Sequence, residues 1–519
     1  MNSIITPPLD PGFVPMALVN RDYQQKVAEA GSPQPLGIAL ERESGLVSRH
    51  DLQLLPAGLE DALTQRIAER HIKFLLWSQG GFRLHLAGAA SLCSHLKTIF
   101  SAAGERAFDA GIMYKVYGET LEVVVHADMA ELPAQKSQAM SIGGHLDGCR
   151  IGFDLGASDF KIAAVQDGEA VFSMELPWDP VKQTDPGYHY HRINCGLDLA
   201  ASKLPRVDAI GGSSAGIYVS NQPRVASLFR GISPQQFTSC IKPMFERIRT
   251  ERGVPLVVVN DGDVTALAGA MSLETTNLLG IAMGSSEAVG YINPAGQITG
   301  YLNELAFAPV DFNPQAVADE WSGDGGVGAL YFSQQAVNKL APAAGYQFEA
   351  ALALPERLKR VQADANAGKP EALQIFETIG VYLGYSLLHY HDYYGFDHVL
   401  LLGRVTSGRG GELVLGGAVF GGMAGALPDR HDGGPRRGGL RGPGGRPVPT
   451  DPRRQGQGGS RDGARCRRRR VHRARDPATT SRPRGSRQRE PGTHGGDGPD
   501  RATHARRRDV RYVVSLHRT

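Results

Sequence analysis

Residues 149–165 read CRIGFDLGASDFKIAAV, an apolar strand, a short polar turn and a second apolar strand. The first strand ends in Asp154, and Gly156 follows in the turn. A carboxylate at a strand end can hold a water-coordinated Mg²⁺, and a glycine lets backbone N–H groups approach phosphate oxygens. Ser158 and Lys161 add a hydroxyl and a cation for those oxygens. The motif therefore predicts a phosphate and magnesium site, with an ordinary hairpin turn as the alternative.

A second strand with an acidic end lies at residues 254–270, VPLVVVNDGDVTALAGA. It runs into Asn260 and Asp261 and then into a helix of small residues. The carboxyl end of such a strand is where α/β folds place their ligands. Asp261 can act there as general base on a substrate hydroxyl that Asn260 orients. The alternative is that Asp261 or Asp263 only caps the helix that follows.

Two further strands end in glycine-bearing turns. Residues 277–292, NLLGIAMGSSEAVGYI, form a strand, a Gly–Ser turn and a strand, which is a candidate second phosphate cradle or a simple hairpin. Residues 398–408, HVLLLGRVTSG, form an apolar strand that leads into a helix start and can pack against a nucleotide base. The candidate residues of these two turns are Gly284, Ser285, Ser286, Gly403 and Arg404.

These four elements, in this order, resemble the sugar kinase, actin and heat-shock-chaperone ATPase superfamily, and within it the ROK and hexokinase-like sugar kinases. Residues 154–161 are similar to the phosphate-1 turn of those kinases, and residues 260–270 to the run that holds their catalytic Asp. Residues 211–216, GGSSAG, match the loop before the sugar cleft. Residues 303–311, NELAFAPVD, look like a Gly-Glu-Ile-Gly-His-x-Pro-Val-Asp segment. The resemblance covers residues 149–415.

The resemblance implies an α/β fold with two actin-like, ribonuclease H-like lobes from a duplicated domain, which close over ATP, Mg²⁺ and a hydroxylated substrate. It implies an ATP-dependent kinase that phosphorylates a hydroxyl of a sugar or sugar-like small molecule. Asp261 would be the catalytic base, and Asp154 would hold Mg²⁺ through water. The implied phosphate- and ATP-binding residues are Asp154, Gly156, Ser158, Lys161, Gly284, Ser285, Ser286, Gly403 and Arg404. The implied substrate-binding residues are Ser213, Ser214, Asn260 and Glu304.

The chain departs from the ROK pattern at its sugar-binding segment. Phe307 stands where that segment has a His, and Ala329 aligns with the Glu expected to bind sugar hydroxyls. The chain also lacks the cysteines of the zinc cluster that ROK kinases carry there, so no zinc is expected. Residues 319–328 are polar and Gly-rich, and Trp321 is either a replacement sugar contact or part of a surface loop. Hexose specificity is therefore left open.

The predicted order of domains is an α/β domain of unknown role at residues 1–148, ATPase lobes at 149–255 and 256–428, and a disordered basic tail at 429–519. The tail holds 25 Arg, no Lys and 9 acidic residues, a net charge of +16, whereas the rest of the chain carries −13. Its few apolar residues cannot offset the entropy of ordering. The alternatives are a frameshift product, which we favour because the change in composition is abrupt, a nucleic-acid-binding arm and a solubilising tail.

Within residues 1–148, the pattern predicts helices at 59–70 and 90–103 and strands at 72–77, 82–86 and 113–126. The 519 residues include five scattered Cys without a C-x-x-C pair, and no apolar window long enough to span a membrane. These features predict a cytoplasmic protein without a membrane partner. The expected partner is a small sugar-like molecule, with nucleic acid bound only non-specifically through the tail and a homodimer as one option. The alternative function is a non-catalytic ROK-type sugar-sensing regulator or nucleotide-binding protein.

Overall fold

The computed structural model of the chain describes residues 5–139, 145–156, 159–424, 471–473 and 512–515. Its strands are β1 (Gln34–Arg42), β2 (Leu46–Leu54), β3 (Arg83–Gly88), β4 (Glu122–Val125), β5 (Cys149–Leu155), β6 (Asp159–Gln166), β7 (Glu169–Pro177), β8 (Ala209–Ser214), β9 (Ile217–Val219), β10 (Gln222–Val225), β11 (Leu256–Asn260), β12 (Leu278–Met283), β13 (Glu287–Ile292), β14 (His398–Leu402), β15 (Val471–Arg473) and β16 (Tyr512–Ser515). Its α-helices are α1 (Met16–Ala30), α2 (Asp61–Ser78), α3 (Ala90–Ile99), α4 (Ala107–Tyr117), α5 (Pro186–Ala201), α6 (Pro234–Gln236), α7 (Met244–Arg252), α8 (Asp261–Ser272), α9 (Gln334–Leu340), α10 (Leu354–Asn366), α11 (Pro370–Tyr394) and α12 (Gly408–Ala424). Within these ranges, no helix has both the length and the apolar character needed to cross a lipid bilayer.

The N-terminal part of the chain forms a four-stranded sheet in the order β2-β1-β3-β4, packed with helices α1 to α4. Strand β1 pairs antiparallel with β2 and β3, and β3 pairs parallel with β4. Helix α3 lies within the helix predicted at residues 90–103, and β3 overlaps the strand predicted at 82–86. The α/β character expected of these residues is confirmed.

Two strand predictions for this part of the chain are wrong. Residues 72–77 continue helix α2, and residues 113–117 complete helix α4, so that only 122–125 of the second run form a strand. Helix α2 is buried over nearly all of its second half, from Ile67 to Ser78. A helix buried on every face has an apolar run like that of a buried strand, and periodicity alone does not separate the two.

The first ATPase-like sheet has five strands in the order β11-β8-β5-β6-β7. Strands β5, β6 and β7 form an antiparallel meander, whereas β8 pairs in parallel with β5 and β11 pairs in parallel with β8. This strand order and direction is that of a ribonuclease H-like sheet, so the fold expected from the sequence is confirmed. Because β11 pairs with β8, the sheet continues past residue 255, where the sequence predicted the first lobe to end.

The second sheet repeats the start of the first. Strands β12 and β13 form an antiparallel hairpin, and β14 adds to β12 in parallel, as β8 adds to the β5–β6 hairpin. In the region predicted to be a disordered tail, the structure describes only β15 and β16, and β16 pairs antiparallel with β14. The remaining residues after 424 lie outside the described ranges. The repeated hairpin and parallel strand support a duplicated, two-lobed architecture.

One hydrophobic core joins the N-terminal domain to the second lobe, and a separate core fills the first lobe. Phe74 of α2 packs against Tyr390 of α11 with ring centroids 5.6 Å apart. Trp77 of the same helix packs against Phe307 at 4.6 Å. The side chain that replaces the expected His is thus an aromatic contact for the N-terminal domain.

A buried ion network also links these two parts. Its members are Glu69, Arg70, Lys73, Arg106, Asp109 and Asp324. Asp324 comes from the second lobe, and both of its oxygens accept from the Arg70 guanidinium, at 2.7 and 3.0 Å. Burial opposes the charge of Asp324, but Arg70 and the neighbouring cations outweigh it and hold its pKa well below the usual range. Helix α2 therefore fixes the loop that contains Trp321, whose own side chain is exposed.

Candidate active site

The register of the first sheet places the predicted site residues at one edge. In the β5–β8 pair Asp154 lies beside Ser213, and in the β8–β11 pair Ser214 lies beside Asn260. Because these strands are parallel, their carboxyl ends share an edge, and α/β folds bind ligands there. The sheet thus brings together side chains from three separate parts of the sequence.

The turn after Asp154 is held closely. The Gly156 N–H donates to the Asp159 carbonyl at 2.9 Å, and the Trp178 indole donates to the Gly156 carbonyl at 2.9 Å. A Cβ at position 156 would lie 2.6 Å from an Asp159 carboxylate oxygen, so a larger residue would displace that side chain. Ser158 lies outside the described residues. Gly156 is therefore fixed by two backbone contacts next to Asp154, while residues 157–158 lie outside the described ranges.

The side chain of Lys161, on strand β6, lies beside this turn. Its ammonium lies 3.5 Å from Asp154 and 3.2 Å from Asp159. Burial opposes its charge, but the Asp159 hydrogen bond and the two negative charges outweigh it and raise the pKa of Lys161. The Lys161 side chain is half exposed, so its cation is accessible to an anion that enters the cleft.

Asp261 is the first residue of α8, and Asn260 is the N-cap of that helix. The Asn260 side-chain oxygen accepts from the Gly262 N–H at 2.7 Å, and its amide nitrogen donates to the Gly216 carbonyl at 2.8 Å. The alternative that Asp261 or Asp263 is the N-cap is therefore not what the structure shows. Both polar groups of Asn260 already have protein partners, so its predicted role in orienting a hydroxyl would require one of these bonds to exchange.

A cleft of about 1060 Å³ contains both predicted carboxylates. The strand β14 of the second sheet contributes Leu400 and Leu402 to its lining, and the polar side chains that line it are Asp154, Lys161, Ser173, Glu175, Ser213, Asp261 and Thr265. Burial, followed by the negative charge of Asp154, raises the pKa of Asp261. The two carboxylates therefore face the same cleft and interact electrostatically.

The turns of the second sheet lie beside each other, although none of their residues is in the lining of this cleft. The Gly284 N–H donates to the Ser286 carbonyl at 3.0 Å and closes the β12–β13 turn. Gly403 has a φ of +106°, and a Cβ there would lie 2.5 Å from the Met283 carbonyl oxygen. Glycine is required at 403 because the chain passes the end of β12 too closely for a side chain. Arg404 is exposed.

Glu304 lies in an acidic group that the sequence analysis only partly predicted. The Asn303 amide donates to Asp263 at 2.9 Å, and the Glu304 N–H donates to the Trp77 carbonyl at the end of α2 at 3.0 Å. Burial, followed by the charges of Asp261 and Asp263, raises the pKa of Glu304 to about 7. Burial likewise raises the pKa of Asp263 to about 7. The sequence pattern gives Asp263 only a possible capping role, because its contact with Asn303 joins residues that are distant in sequence.

Glu287 is a buried carboxyl group that the sequence analysis missed. It begins β13, and one of its oxygens accepts from the Tyr390 hydroxyl at 3.3 Å while the other has no hydrogen-bond partner. Burial is the main cause that raises the pKa of Glu287 to about 8, and the charge of Glu304 adds to it. Nothing local in the Gly–Ser turn distinguishes this Glu from an exposed strand residue.

The pKa of Glu287 predicts a pH-dependent effect of the substitution Glu287→Gln. Between its ordinary pKa of 4.5 and the folded value of about 8, the unfolded chain ionises this group while the folded chain keeps it protonated. The group therefore lowers the free energy of unfolding as the pH rises through that window. The melting temperature of Glu287→Gln minus that of the unchanged protein should increase from about pH 5 to 8 and then level off. Exposed Glu29→Gln is the control, and a difference that stays constant with pH would refute the assignment.

Comparison with known proteins gives matches only among solved structures, because no protein-family model and no curated protein matches the sequence. A ROK family transcriptional regulator, described as a homologue of the E. coli MLC protein, is 19% identical over 55% of this chain and 72% of its own, with a TM-score of 0.44.

Two ROK kinases are among the other matches. The ROK hexokinase from Thermus thermophilus is 16% identical over 52% of this chain and 88% of its own, with a TM-score of 0.42. The ROK family glucokinase from Streptomyces griseus, solved with glucose and AMPPNP, is 19% identical over 54% of this chain and 90% of its own, with a TM-score of 0.40. Since the matches include a regulator as well as kinases, they do not decide between the two activities.

Proposed function

We propose that this protein is an ATP-dependent kinase that phosphorylates a hydroxyl of a sugar or sugar-like small molecule. The observation that carries the proposal is that Asp154 and Asp261 line one cleft between the two sheets, with Lys161 beside them. A phosphoryl-transfer site needs positive charge near the transferred phosphoryl group and a base near the attacking hydroxyl. This cleft offers both kinds of group within one space.

In the proposed reaction, Asp261 accepts the proton of the attacking hydroxyl. Lys161 and the Gly156 turn bind phosphate oxygens, and the backbone of residues 284–286, which lies outside the cleft lining, would reach them when the two lobes close over the nucleotide. Residues 403–404 lie on the adenosine side. The acceptor lies near Ser213, Ser214, Asn260 and Glu304. Such a reaction depends mostly on positioning and electrostatic stabilisation, which these groups supply.

The residues present fit Mg²⁺ and ATP. Magnesium ions in kinase sites are bound by one or two carboxylates together with water and substrate phosphates. Asp154 is partly exposed at the cleft, with Asp159 on the same turn, and both pair with Lys161. When bound, the ion would neutralise charge on the β- and γ-phosphates. Asp154 would hold it through water, and Lys161, whose ammonium lies 3.5 Å from Asp154, would bind phosphate oxygens.

An acceptor screen tests the proposal. The full chain is incubated with ATP and Mg²⁺ and a panel of hexoses, amino sugars, polyols and sugar acids, and phosphorylated products are detected by mass spectrometry. We expect at least one acceptor to give a product that depends on Asp261. Sugar binding without any product would favour the alternative, a sugar-sensing regulator. Absence of both ATP binding and product would refute the kinase proposal.

A further inference from the structure

A second cavity, of about 460 Å³, lies beside the strand end that carries Asn260. The N-terminal sheet supplies one wall through Arg42 and Glu43, and the second lobe supplies another through Tyr301. Asn260 and Asp263 form the part nearest the proposed base. The cavity is thus enclosed by all three folded parts of the chain.

Arg42 is a buried cation with no anionic partner among the described residues. Its side chain is 4% exposed, and it donates to the carbonyl oxygens of Gln79 at 3.1 Å and Gly300 at 3.4 Å. Its Nε has no hydrogen-bond partner, and no ion pair joins it to a carboxylate within the described ranges. Burial is the main cause that lowers the pKa of Arg42, and its guanidinium carbon lies 4.9 Å from the centroid of the Tyr301 ring. A buried charge of this kind is costly unless a partner compensates it.

A second arginine lies next to the same wall. Arg224 donates to Glu43 at 2.8 Å, but its Nε is also buried and lacks a partner. The acidic groups at the cavity are Glu43, which Arg224 pairs, and Asp263, which Asn303 hydrogen-bonds. Both carboxylates therefore already have protein partners, whereas Arg42 has two carbonyl oxygens and the Tyr301 ring beside it but no carboxylate within the described ranges.

The rest of the lining suits a hydroxylated molecule. Tyr117, Tyr218 and Tyr301 present aromatic rings, which pack against the apolar faces of sugars while their hydroxyls hydrogen-bond. Tyr218 shares a 2.6 Å hydrogen bond with Ser214 at the end of β8. Mostly apolar and aromatic walls with a few placed polar groups are typical of small-molecule sites.

We propose that this cavity binds a small hydroxylated anion, a sugar carboxylate or a sugar phosphate, whose charged end pairs with Arg42. As an assignment of the acceptor class, this inference rests on the proposed kinase function. The anion supplies the charge that Arg42 lacks, and the hydroxyl end lies near Asn260 and Asp263. The binding itself can be tested without ATP.

The experiment is calorimetric titration of the full chain with glucose, glucuronate, gluconate and glucose 6-phosphate. We expect at least one of the three anions to bind ten-fold or more tightly than glucose. A preference for the carboxylates or for the phosphate identifies which anionic group the site takes. Equal or tighter binding of glucose than of all three anions would overturn the proposal.

Two variants test the role of Arg42 and are expected to change the affinity for the anion in opposite directions. Arg42→Met should abolish the preference for the anion, whereas Glu43→Gln should strengthen anion binding several-fold because it removes a competing negative charge. Arg83→Met is the control, since Arg83 lies on the same sheet outside the cavity. Unchanged affinity in Arg42→Met would refute the assignment. If Arg42→Met does not fold, the Glu43→Gln variant provides the test. Weaker or unchanged anion binding in Glu43→Gln would then refute the proposed anion site.

The anion site and the kinase activity are separable by experiment. Anion binding through Arg42 without phosphoryl transfer to any acceptor would leave the site standing and refute the kinase. Phosphorylation of neutral sugars by a protein that does not bind the anions would support the kinase activity and refute the anion site.

Discussion

Replacing Asp261 with Asn is expected to lower turnover by at least about 100-fold while leaving the dissociation constant for ATP within a few-fold of the original. The amide keeps the size of the side chain but cannot accept the proton of the attacking hydroxyl. The N-cap of α8 is unaffected, because Asn260 supplies it. Turnover is measured by ADP release with the acceptor found in the screen, and ATP binding by titration.

Two controls separate this role from a general loss of structure. Asp154→Asn is expected to weaken binding of ATP with Mg²⁺ instead, since Asp154 is assigned to the metal. Asp179→Asn changes an exposed carboxylate paired with Lys182, outside the cleft, and should change neither quantity. Turnover that persists in Asp261→Asn would remove Asp261 from the role of base.

Replacing Asp324 with Asn is expected to destabilise the protein by about 3–5 kcal/mol, because it leaves a buried group of cations with one carboxylate too few. Asp324 accepts from Arg70 and also lies 3.2 Å from Lys73 and 3.0 Å from Arg106. An amide of the same size cannot compensate these charges. The effect is measured as the shift in the denaturant midpoint of the folded chain, with exposed Asp179→Asn as the control.

This second prediction also concerns how the parts of the chain are joined. Because Asp324 belongs to the second lobe and its partners to α2 and its neighbours, the substitution should loosen the contact between the N-terminal domain and the lobe. Faster proteolysis of the loop at residues 319–326 is the expected sign. A midpoint equal to that of the Asp179→Asn control would show that the network does not stabilise this contact.

The strand ends could be predicted from the sequence because their signals are local. An apolar run followed by Asp154 and Gly156, or by Asn260 and Asp261, defines both the strand and the position of the polar group. The carboxyl ends of parallel strands then meet at one edge, so the shared cleft of Asp154 and Asp261 follows from the topology.

The contribution of the N-terminal domain could not be predicted in this way. The run at residues 72–77 is apolar except for Lys73, whose charge is buried beside Asp109, so the pattern predicts a strand although this half of α2 is a helix buried on all sides. Arg42 contacts Gly300, and Asp324 contacts Arg70, and in both pairs the two residues are far apart in sequence. Long-range pairing of this kind leaves no local pattern, and Arg42, at the end of β1, is indistinguishable in sequence from a solvated strand residue.

The most direct test of the central claim is a crystal structure of the protein with Mg²⁺ and a non-hydrolysable ATP analogue. We predict that the terminal phosphate lies between the side chains of Asp154 and Asp261, with the Lys161 ammonium in contact with a phosphate oxygen. Nucleotide bound elsewhere on the molecule, with both carboxylates remote from its phosphates, would contradict the account.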